Sequence, residues 1–294
     1  MKLSLGPPLF FWPRQRVLDF YAQAADWPVE VIHLGETVCA RRRELRPEDW
    51  VALGRELKQA GKEVVLSTQA LIESEADLRV LRRICSNGEF TVEAGDQSAI
   101  ELLQAAGLAF MSGPSVNIYN AQTLRILARA GLRRWCMPVE LSRDTLAAIL
   151  EQAREMELDV ETEVFAWGHL PLAWSARCFT ARHHGNPKDQ CGFVCMEYPG
   201  GLPVRSQESR ELFTLNGIQT LSGARYDLLP ELGDMERMGV SVVRISPEDT
   251  DMAAVVADFD RVRRGEAVAR DPLALREVTG CNGYWYGAAG MENR

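Results

Sequence analysis

Short apolar runs alternate with longer amphipathic stretches along most of the chain. Eight runs rich in β-branched and other apolar residues predict strands at 2–5, 29–34, 63–68, 89–94, 108–113, 134–139, 160–166 and 241–246. Six stretches between them carry apolar residues at helical spacing, at 15–26, 47–61, 74–86, 96–107, 119–131 and 142–155. Strands that alternate with helices in this way are typical of βα units and a parallel sheet. We therefore expect an α/β fold, a (β/α)8 barrel of the TIM type that need not be fully regular.

One connection is much longer than the others. More than 70 residues separate the seventh predicted strand from the eighth, and loops of that length are usually functional. We interpret 168–239 as an insertion within a single barrel domain that spans 1–294. The insertion contains the stretch CFTARHHGNPKDQCGFVC, which has neither the periodicity of a helix nor the alternation of a strand. Core packing does not explain this stretch, so its three cysteines point to chemistry.

Four of the seven cysteines fall on one predicted face of the barrel. Cys39 follows the second strand, whereas Cys178, Cys191 and Cys195 follow the seventh, and the segments after barrel strands build the catalytic face. Soft sulfur donors suit either a tetrahedral zinc ion or a [4Fe-4S] cluster. Structural zinc usually uses paired short C-x2–4-C elements, whereas 12 and 3 residues separate the last three of these cysteines. The spacing favours the cluster over zinc.

The other cysteines and two adjacent histidines bear on this choice. Cys85 lies in a predicted helix and Cys136 in a predicted strand, where a buried thiol acts as a small apolar group. The glycine-rich tail around Cys281 leaves its role open. His183 and His184 keep zinc as an alternative, although a solvated turn is their simpler interpretation. Ordinary unligated thiols are the third interpretation of the cysteines.

Acidic residues at the ends of predicted strands are candidates for acid–base catalysis. Such groups act at the catalytic face of a barrel if burial shifts their pKa, and the candidates are Glu93, Glu140 and Glu163. His169 joins the last part of the seventh strand to the cysteine segment and is a further candidate. Helix capping, or an ion pair to Arg143 or Arg244, is the alternative account of the acidic residues.

Composition narrows the classes of partner. The 294 residues are 46% hydrophobic and 25% charged, with a net charge of −8 and a pI near 5.2, so we expect no nucleic acid partner. The apolar N-terminal run is interrupted by Pro7, Pro8 and Pro13, which predicts no membrane span there. No small-residue cleavage site follows it, so we expect a cytoplasmic protein with reduced thiols.

A resemblance to a known family rests on the stretch ETEVFAWGHLPLAWSARCF. This stretch, with Glu163, Phe165, Gly168 and Cys178 in order and Gly192 downstream, is similar to the signature of the collagenase-like peptidase family of uncertain catalytic type. Four further segments resemble one branch of that family, which acts in the anaerobic pathway of ubiquinone biosynthesis: LSLGPPLFFWP, HLGETVCARR, the C-x12-C-x3-C array and NGYWYGAAGME.

The resemblance implies both a cofactor and partners. It implies a barrel with a [4Fe-4S] cluster on Cys39, Cys178, Cys191 and Cys195, and oxygen-independent hydroxylation of ubiquinone precursors. It also implies a heterodimer with a related UbiU-type subunit and a lipid-carrying accessory protein, UbiT. Two alternatives stay open: a redox-sensing or structural iron–sulfur protein without its own catalysis, and an RNA-base hydroxylase or peptidase of the same family. The sequence has no HExxH motif for a zinc peptidase.

Overall fold

A computed structural model describes residues 1–266 and 280–294 of the chain. The strands within these residues are Lys2–Leu5 (β1), Val31–Leu34 (β2), Glu63–Ser67 (β3), Thr91–Ala94 (β4), Phe110–Ser112 (β5), Leu132–Cys136 (β6), Glu161–Trp174 (β7), Leu202–Arg205 (β8), Glu211–Asn216 (β9), Gln219–Asp227 (β10), Val242–Ile245 (β11) and Gly280–Cys281 (β12). The helices are Arg14–Ala24 (α1), Pro47–Gln59 (α2), Glu75–Cys85 (α3), Gln97–Ala105 (α4), Ala121–Arg129 (α5), Arg143–Glu155 (α6), Phe179–His183 (α7), Leu232–Met238 (α8) and Met252–Arg263 (α9).

Eight of the strands form a closed parallel barrel. The strands β1 to β7 pair in chain order, and β11 pairs with both β7 and β1 to close the ring. In β11, Val243 lies opposite Leu3 on one side and Val164 on the other. The predicted (β/α)8 barrel of the TIM type is therefore confirmed.

The helices begin and end where local sequence signals place them. Pro47 occupies the first turn of α2, where its missing N–H costs nothing. Five helices start after a Ser, Asp or Asn whose side chain accepts a backbone N–H of the first turn: Ser74, Asp96, Asn120, Ser142 and Asp251. These caps fix the length of each βα unit and hence the loops that reach the catalytic face.

Strand β7 is longer than the sequence pattern predicts. It has 14 residues; its first half lies in the barrel, and its second half, from Trp167 to Trp174, pairs antiparallel with β10. Gly168 lies where these halves meet, with φ of 116°. The strands β8, β9 and β10 extend this edge as an antiparallel sheet. The predicted insertion at 168–239 therefore starts inside a strand, and it contains regular structure rather than a loop.

The aromatic N-terminal loop packs inside the molecule. Phe10, Phe11 and Trp12 are all buried, and Pro7 and Leu9 line a cavity at the barrel mouth. The loop thus closes part of the barrel end.

Candidate functional site

The four cysteines of the predicted ligand set line one pocket. Cys39 comes from the segment after β2, and Cys178, Cys191 and Cys195 come from the segment after β7. Gly217, in the turn between β9 and β10, completes one wall. Since both cysteine segments follow barrel strands, the pocket lies on the face where barrel enzymes place their chemistry.

Glu36 and Arg41 fix the segment that carries Cys39. The Oε1 atom of Glu36 accepts hydrogen bonds from the backbone N–H groups of Val38 at 2.8 Å and Cys39 at 3.0 Å. Two residues beyond Cys39, Arg41 donates from Nη2 to the carbonyl oxygen of Asp189 at 2.7 Å. The first cysteine segment is thereby tied to the second, although they are far apart in sequence.

Cys178 is held by a helix start and by the β9–β10 turn. It is the N-cap of α7, and its Sγ accepts the backbone N–H of Ala181 at 3.4 Å. Next to it, the N–H of Phe179 donates to the Gly217 carbonyl at 2.9 Å, and the Thr180 hydroxyl accepts the Gly217 N–H at 2.8 Å. These contacts fix the position of the Cys178 side chain at the pocket.

Arg42 brings an unused hydrogen-bond donor to the same pocket. Its buried guanidinium donates from Nη1 to the Leu9 carbonyl at 2.8 Å and from Nη2 to Oδ1 of Asn216 at 2.6 Å. Its Nε is also buried, and among the described residues it has no hydrogen-bond partner. A buried positive charge with a spare donor beside four thiols suits an anionic group bound in the pocket.

The pKa of two of the pocket thiols depends on the positive charge nearby. Burial raises the pKa of Cys39 and of Cys195 above the ordinary value of a thiol, and Arg42 opposes that rise at both positions. Arg42 alone does not reverse the effect of burial. A metal centre supplies the additional positive charge that four thiolates require.

The spacing of the sulfur atoms distinguishes the two metal interpretations. A single zinc ion with Zn–S bonds of about 2.3 Å holds its sulfurs about 3.8 Å apart. Among the described residues, no three cysteine sulfurs lie within 4.8 Å of one another. His184 bonds the hydroxyl of Tyr198 through Nε2 at 2.9 Å, and neither His183 nor His184 lines the cysteine pocket. The described cysteine sulfurs are therefore not gathered as closely as a single zinc ion requires.

The three other cysteines lie away from this pocket. Cys85 on α3, Cys136 on β6 and Cys281 on β12 are all buried and none lines it. Burial raises the pKa of Cys85 to about 11 and that of Cys281 to about 12. Cys281 donates from Sγ to the Ala224 carbonyl at 3.6 Å, beside β10. These residues pack as small apolar groups.

Two of the acidic candidates meet at the centre of the barrel. Arg244 donates from Nε and Nη2 to the two carboxylate oxygens of Glu163, at 3.0 and 2.9 Å, and from Nη2 to Glu93. All three side chains are buried. Burial acts to raise the pKa of both carboxyl groups, but Arg244 and His33 together outweigh it and the pKa of each lies below its ordinary value. Both groups are therefore carboxylates held by one arginine.

His33 and Ser67 belong to the same cluster, although the sequence analysis did not select them. The Ser67 hydroxyl donates to Glu93 at 3.0 Å and lies 3.4 Å from Nδ1 of His33. Ligand atoms of His33, Glu93 and Glu163 lie within 4.8 Å of one another, but the guanidinium of Arg244 supplies the cation that such a group needs. A histidine inside the apolar strand VEVIHL was the available signal.

The remaining candidates lie elsewhere. Glu140 accepts the hydroxyl of Tyr119 at 3.0 Å in an exposed position. His169 lies on the extension of β7, where its Nδ1 contacts Oε1 of Glu248 at 2.7 Å and Glu248 also accepts Arg225. Neither Glu140 nor His169 lines the cysteine pocket.

Comparison with known proteins decides the family. The model of Peptidase family U32 matches residues 15–264. The chain belongs to this family. The U32 match includes the barrel helices from α1 to α9 and all four pocket cysteines. No helix in the described part of this U32 chain is long and apolar enough to cross a membrane.

Solved structures that resemble this U32 chain share a low sequence identity with it. The U32 peptidase Mk0906 is 14% identical, covers 85% of this chain and 94% of its own, and gives a TM-score of 0.46. The 3-hexulose-6-phosphate synthase from Salmonella typhimurium is 15% identical, with coverage of 91% and 100% and a TM-score of 0.45. A truncated 3-deoxy-D-arabino-heptulosonate 7-phosphate synthase from Thermotoga maritima is 10% identical, with coverage of 95% and 89% and a TM-score of 0.46.

Proposed function

We propose that this chain is a UbiV-type subunit of an oxygen-independent hydroxylase of ubiquinone precursors, and that Cys39, Cys178, Cys191 and Cys195 hold a [4Fe-4S] cluster in it. The observation that supports this most is the meeting of the four side chains at one pocket. The segments that carry these cysteines are also among those that resemble the UbiV branch. The proposal includes a UbiU-type partner in a heterodimer and UbiT as a lipid-carrying accessory protein.

The residues around the pocket suit that role. A bound [4Fe-4S] cluster transfers single electrons, at a potential that burial and hydrogen bonds to sulfur set. Here Cys178 and Cys191 are buried, and the Ala181 N–H donates to Cys178. The buried guanidinium of Arg42 carries a positive charge, and its Nε has a donor without a partner among the described residues. Both stabilise an anionic group in the pocket. The chain thus contributes ligands, shielding from water and hydrogen bonds.

Hydrolysis of peptides has less support in this chain. Ser67 and His33 form a serine–histidine contact, but the serine is 1% exposed and the histidine 0% exposed. The Ser67 hydroxyl donates its hydrogen bond to Glu93, which is nearer to it than the histidine is. A nucleophile must reach a substrate carbonyl, and this hydroxyl is enclosed by the barrel.

The test is ubiquinone production with and without oxygen in a strain that lacks this chain. The account predicts a loss of ubiquinone only when oxygen is absent, with recovery on expression of the wild-type chain. Cys178→Ala is expected to give no recovery, whereas the matched control Cys85→Ala recovers, and the level of each protein is measured in the same cells. Equal loss in air and without air would contradict the proposal. Recovery by Cys178→Ala would do the same.

A structural or sensing cluster predicts a different outcome. If the cluster only stabilises the fold, Cys178→Ala lowers the amount of soluble protein together with ubiquinone. If the cluster takes part in the reaction, the variant accumulates as a folded protein that produces no ubiquinone. Urea unfolding of the purified variants separates the two cases.

A further inference from the structure

A second cavity lies at the mouth of the barrel, beside the cysteine pocket. Its lining includes the residues that directly follow five barrel strands: Gly6, Thr68, Gly95, Gly113 and Ser246. It measures about 440 Å³ when its open mouth is counted. The cavity therefore lies at the carboxyl ends of the strands, where barrels bind their ligands.

The floor of this cavity offers one acceptor and one donor side by side. Glu93 and Arg244 both line it. Arg244 uses Nε and Nη2 for its bonds to the carboxylates, and among the described residues its Nη1 makes no hydrogen bond. Each carboxylate oxygen of Glu93 can accept more than one bond, and each accepts one here, from Ser67 or from Arg244. A ligand group that both donates and accepts is thus complementary to the floor.

The walls are apolar, with two further unpaired polar atoms. Leu9, Phe165 and Pro171 form apolar surface in the cavity. Thr37 Oγ1 and Trp174 Nε1, on two other lining residues, are buried and have no hydrogen-bond partner among the described residues. Buried polar groups are nearly always bonded, so these two atoms indicate polar groups on a ligand.

The charges at the floor favour a neutral ligand over an anion. The positive charge of Arg244 is already matched by two carboxylates, Glu93 and Glu163, so no surplus positive charge faces the cavity. A carboxylate ligand would lie beside Glu93 and be repelled. A phenol hydroxyl is neutral, donates one hydrogen bond and accepts others, and carries an apolar ring.

We infer that the barrel-mouth cavity binds a neutral phenolic ring, whose hydroxyl donates to Glu93 and accepts from Arg244 while the ring packs against Leu9, Phe165 and Pro171. The inference deepens the proposed function, on which it rests for the identity of the natural ligand. Leu9 and Thr37 connect the two sites, because the Leu9 carbonyl accepts Arg42 of the cysteine pocket and Thr37 precedes Cys39 by two residues. The two sites are thus joined through neighbouring residues of the chain.

Gly113 offers a way to block the floor without changing its charged groups. A Cβ added there would lie 3.4 Å from both Cδ and Oε1 of Glu93, which is ordinary contact, and its backbone does not require glycine. Gly113→Ala therefore fills the space next to the carboxylate and leaves the ion pairs intact. Gly233→Ala, on α8, is the matched control, since a Cβ there meets only the side chain of Arg237.

The experiment is a ligand-observed NMR titration of the full-length protein, prepared without oxygen, with 4-methylphenol. We expect saturable binding, and about tenfold weaker binding of 4-methylanisole, which cannot donate the hydrogen bond. Gly113→Ala is expected to weaken binding of 4-methylphenol about tenfold, whereas Gly233→Ala leaves it unchanged.

Three results would overturn the inference: equal binding of the phenol and its methyl ether, no effect of Gly113→Ala, or tighter binding of benzoate than of 4-methylphenol. The comparison of the three ligands uses the wild-type protein alone, so it stands even if Gly113→Ala fails to fold. Iron content and ubiquinone do not enter the titration. Failure to bind phenols would thus leave the cluster assignment in place, and a lack of iron would leave the cavity in place.

Discussion

The cysteine side chains of this protein have different surroundings. Cys178 accepts a backbone N–H and shares a pocket with three other thiols and Arg42, whereas Cys136 is buried in a barrel strand away from that pocket. Burial raises the pKa of Cys136 although Arg244 opposes that rise, and a neutral thiol is a poor metal ligand. The surroundings therefore separate the cysteines that we propose as metal ligands from those that pack in the core.

This difference predicts the effect of single cysteine substitutions on iron content. Changing any one of the four pocket cysteines to alanine is expected to remove most of the iron from protein prepared without oxygen. Cys85→Ala and Cys136→Ala are expected to keep the iron and to lose only packing energy. Iron analysis of the purified variants checks this, and an iron-free Cys281→Ala beside an iron-loaded Cys39→Ala would show that the ligand set is wrong.

Arg244 predicts a large effect on stability. Arg244→Met leaves Glu93 and Glu163 buried without their cation, which typically costs about 3–5 kcal/mol of unfolding free energy. The control is Arg205→Met, because the Arg205–Glu211 pair is exposed and such pairs contribute less than about 1 kcal/mol. Urea unfolding at neutral pH measures both variants, and equal losses would contradict the account of the cluster.

The same cluster predicts a dependence on pH. In the wild type, the pKa of Glu93 and of Glu163 is lowered from 4.5, so their contribution to stability is present above pH 4.5 and is lost as the pH falls below it. In Arg244→Met, the arginine no longer opposes burial and only the contacts with His33 do, so we expect the pKa of each carboxyl group to rise. The difference in unfolding free energy between the two proteins should therefore shrink on acidification. A difference that stays constant from pH 7 to pH 4 would argue against paired carboxylates.

At the scale of elements, the extension of β7 connects the barrel to the cysteine site. The strand leaves the barrel at Gly168, where a Cβ would lie 2.7 Å from the Cβ of Ser246. The extension pairs with β10, and the turn before β10 carries Gly217 in the wall of the cysteine pocket. A change at Gly168 is thus transmitted to the site through the sheet.

Gly168→Ala is predicted to lower both stability and iron content. Gly88→Ala is the control, because Gly88 also has a positive φ but a Cβ there meets nothing within 4 Å. A left-handed alanine costs about 1–2 kcal/mol, and overpacking at Gly168 adds about 1–3 kcal/mol. Urea unfolding and iron analysis measure the two variants side by side. Equal losses of unfolding free energy and iron in Gly168→Ala and Gly88→Ala would show that the contact with Ser246 does not affect the fold or the site.

Sequence patterns predicted the barrel elements but not the antiparallel sheet. Barrel strands such as β2, β3 and β11 are mostly apolar runs that are buried on both faces, and this produces a strong local signal. The strands β8 and β9 are partly exposed, and the second half of β7 contains Gly168 and Pro171, which weaken a strand signal. Their pairing depends on partners that are distant in sequence.

The cysteines of the candidate site could be predicted from the sequence, but the hydrogen bonds around them could not. Cys39, Cys178, Cys191 and Cys195 could be selected because each follows a predicted strand of the barrel. The spare donor of Arg42 could not be found from sequence, since it depends on which carbonyls and side chains the guanidinium meets in the fold.

For the whole molecule, the aromatic N-terminal loop and tail are largely buried and offer little surface to a partner. Phe10, Phe11 and Trp12 of the N-terminal loop and Trp285 of the tail are buried in the chain itself. Three of the four exposed aromatic residues in the described part of the chain lie on the insertion, where Phe179, Phe193 and Phe213 are each at least 36% exposed. Such residues are enriched at protein interfaces.

The insertion is therefore where we expect a UbiU-type partner to bind. Co-expression with that partner should give a one-to-one complex, and Phe213→Ser should weaken it. Ile126→Ser on α5 is the control, because Ile126 is 64% exposed but belongs to an outer helix of the barrel. Size-exclusion chromatography with light scattering measures the complexes. A chain that stays monomeric beside its partner, or equal weakening by both substitutions, would contradict this arrangement.

The measurement that tests the central claim most directly is the iron, sulfide and zinc content of the wild-type chain purified without oxygen, taken together with its visible spectrum. Four pocket thiols that are spaced too widely for one zinc ion predict a brown protein with about four iron and four sulfide per chain. A colourless protein that contains stoichiometric zinc and no iron would contradict the account.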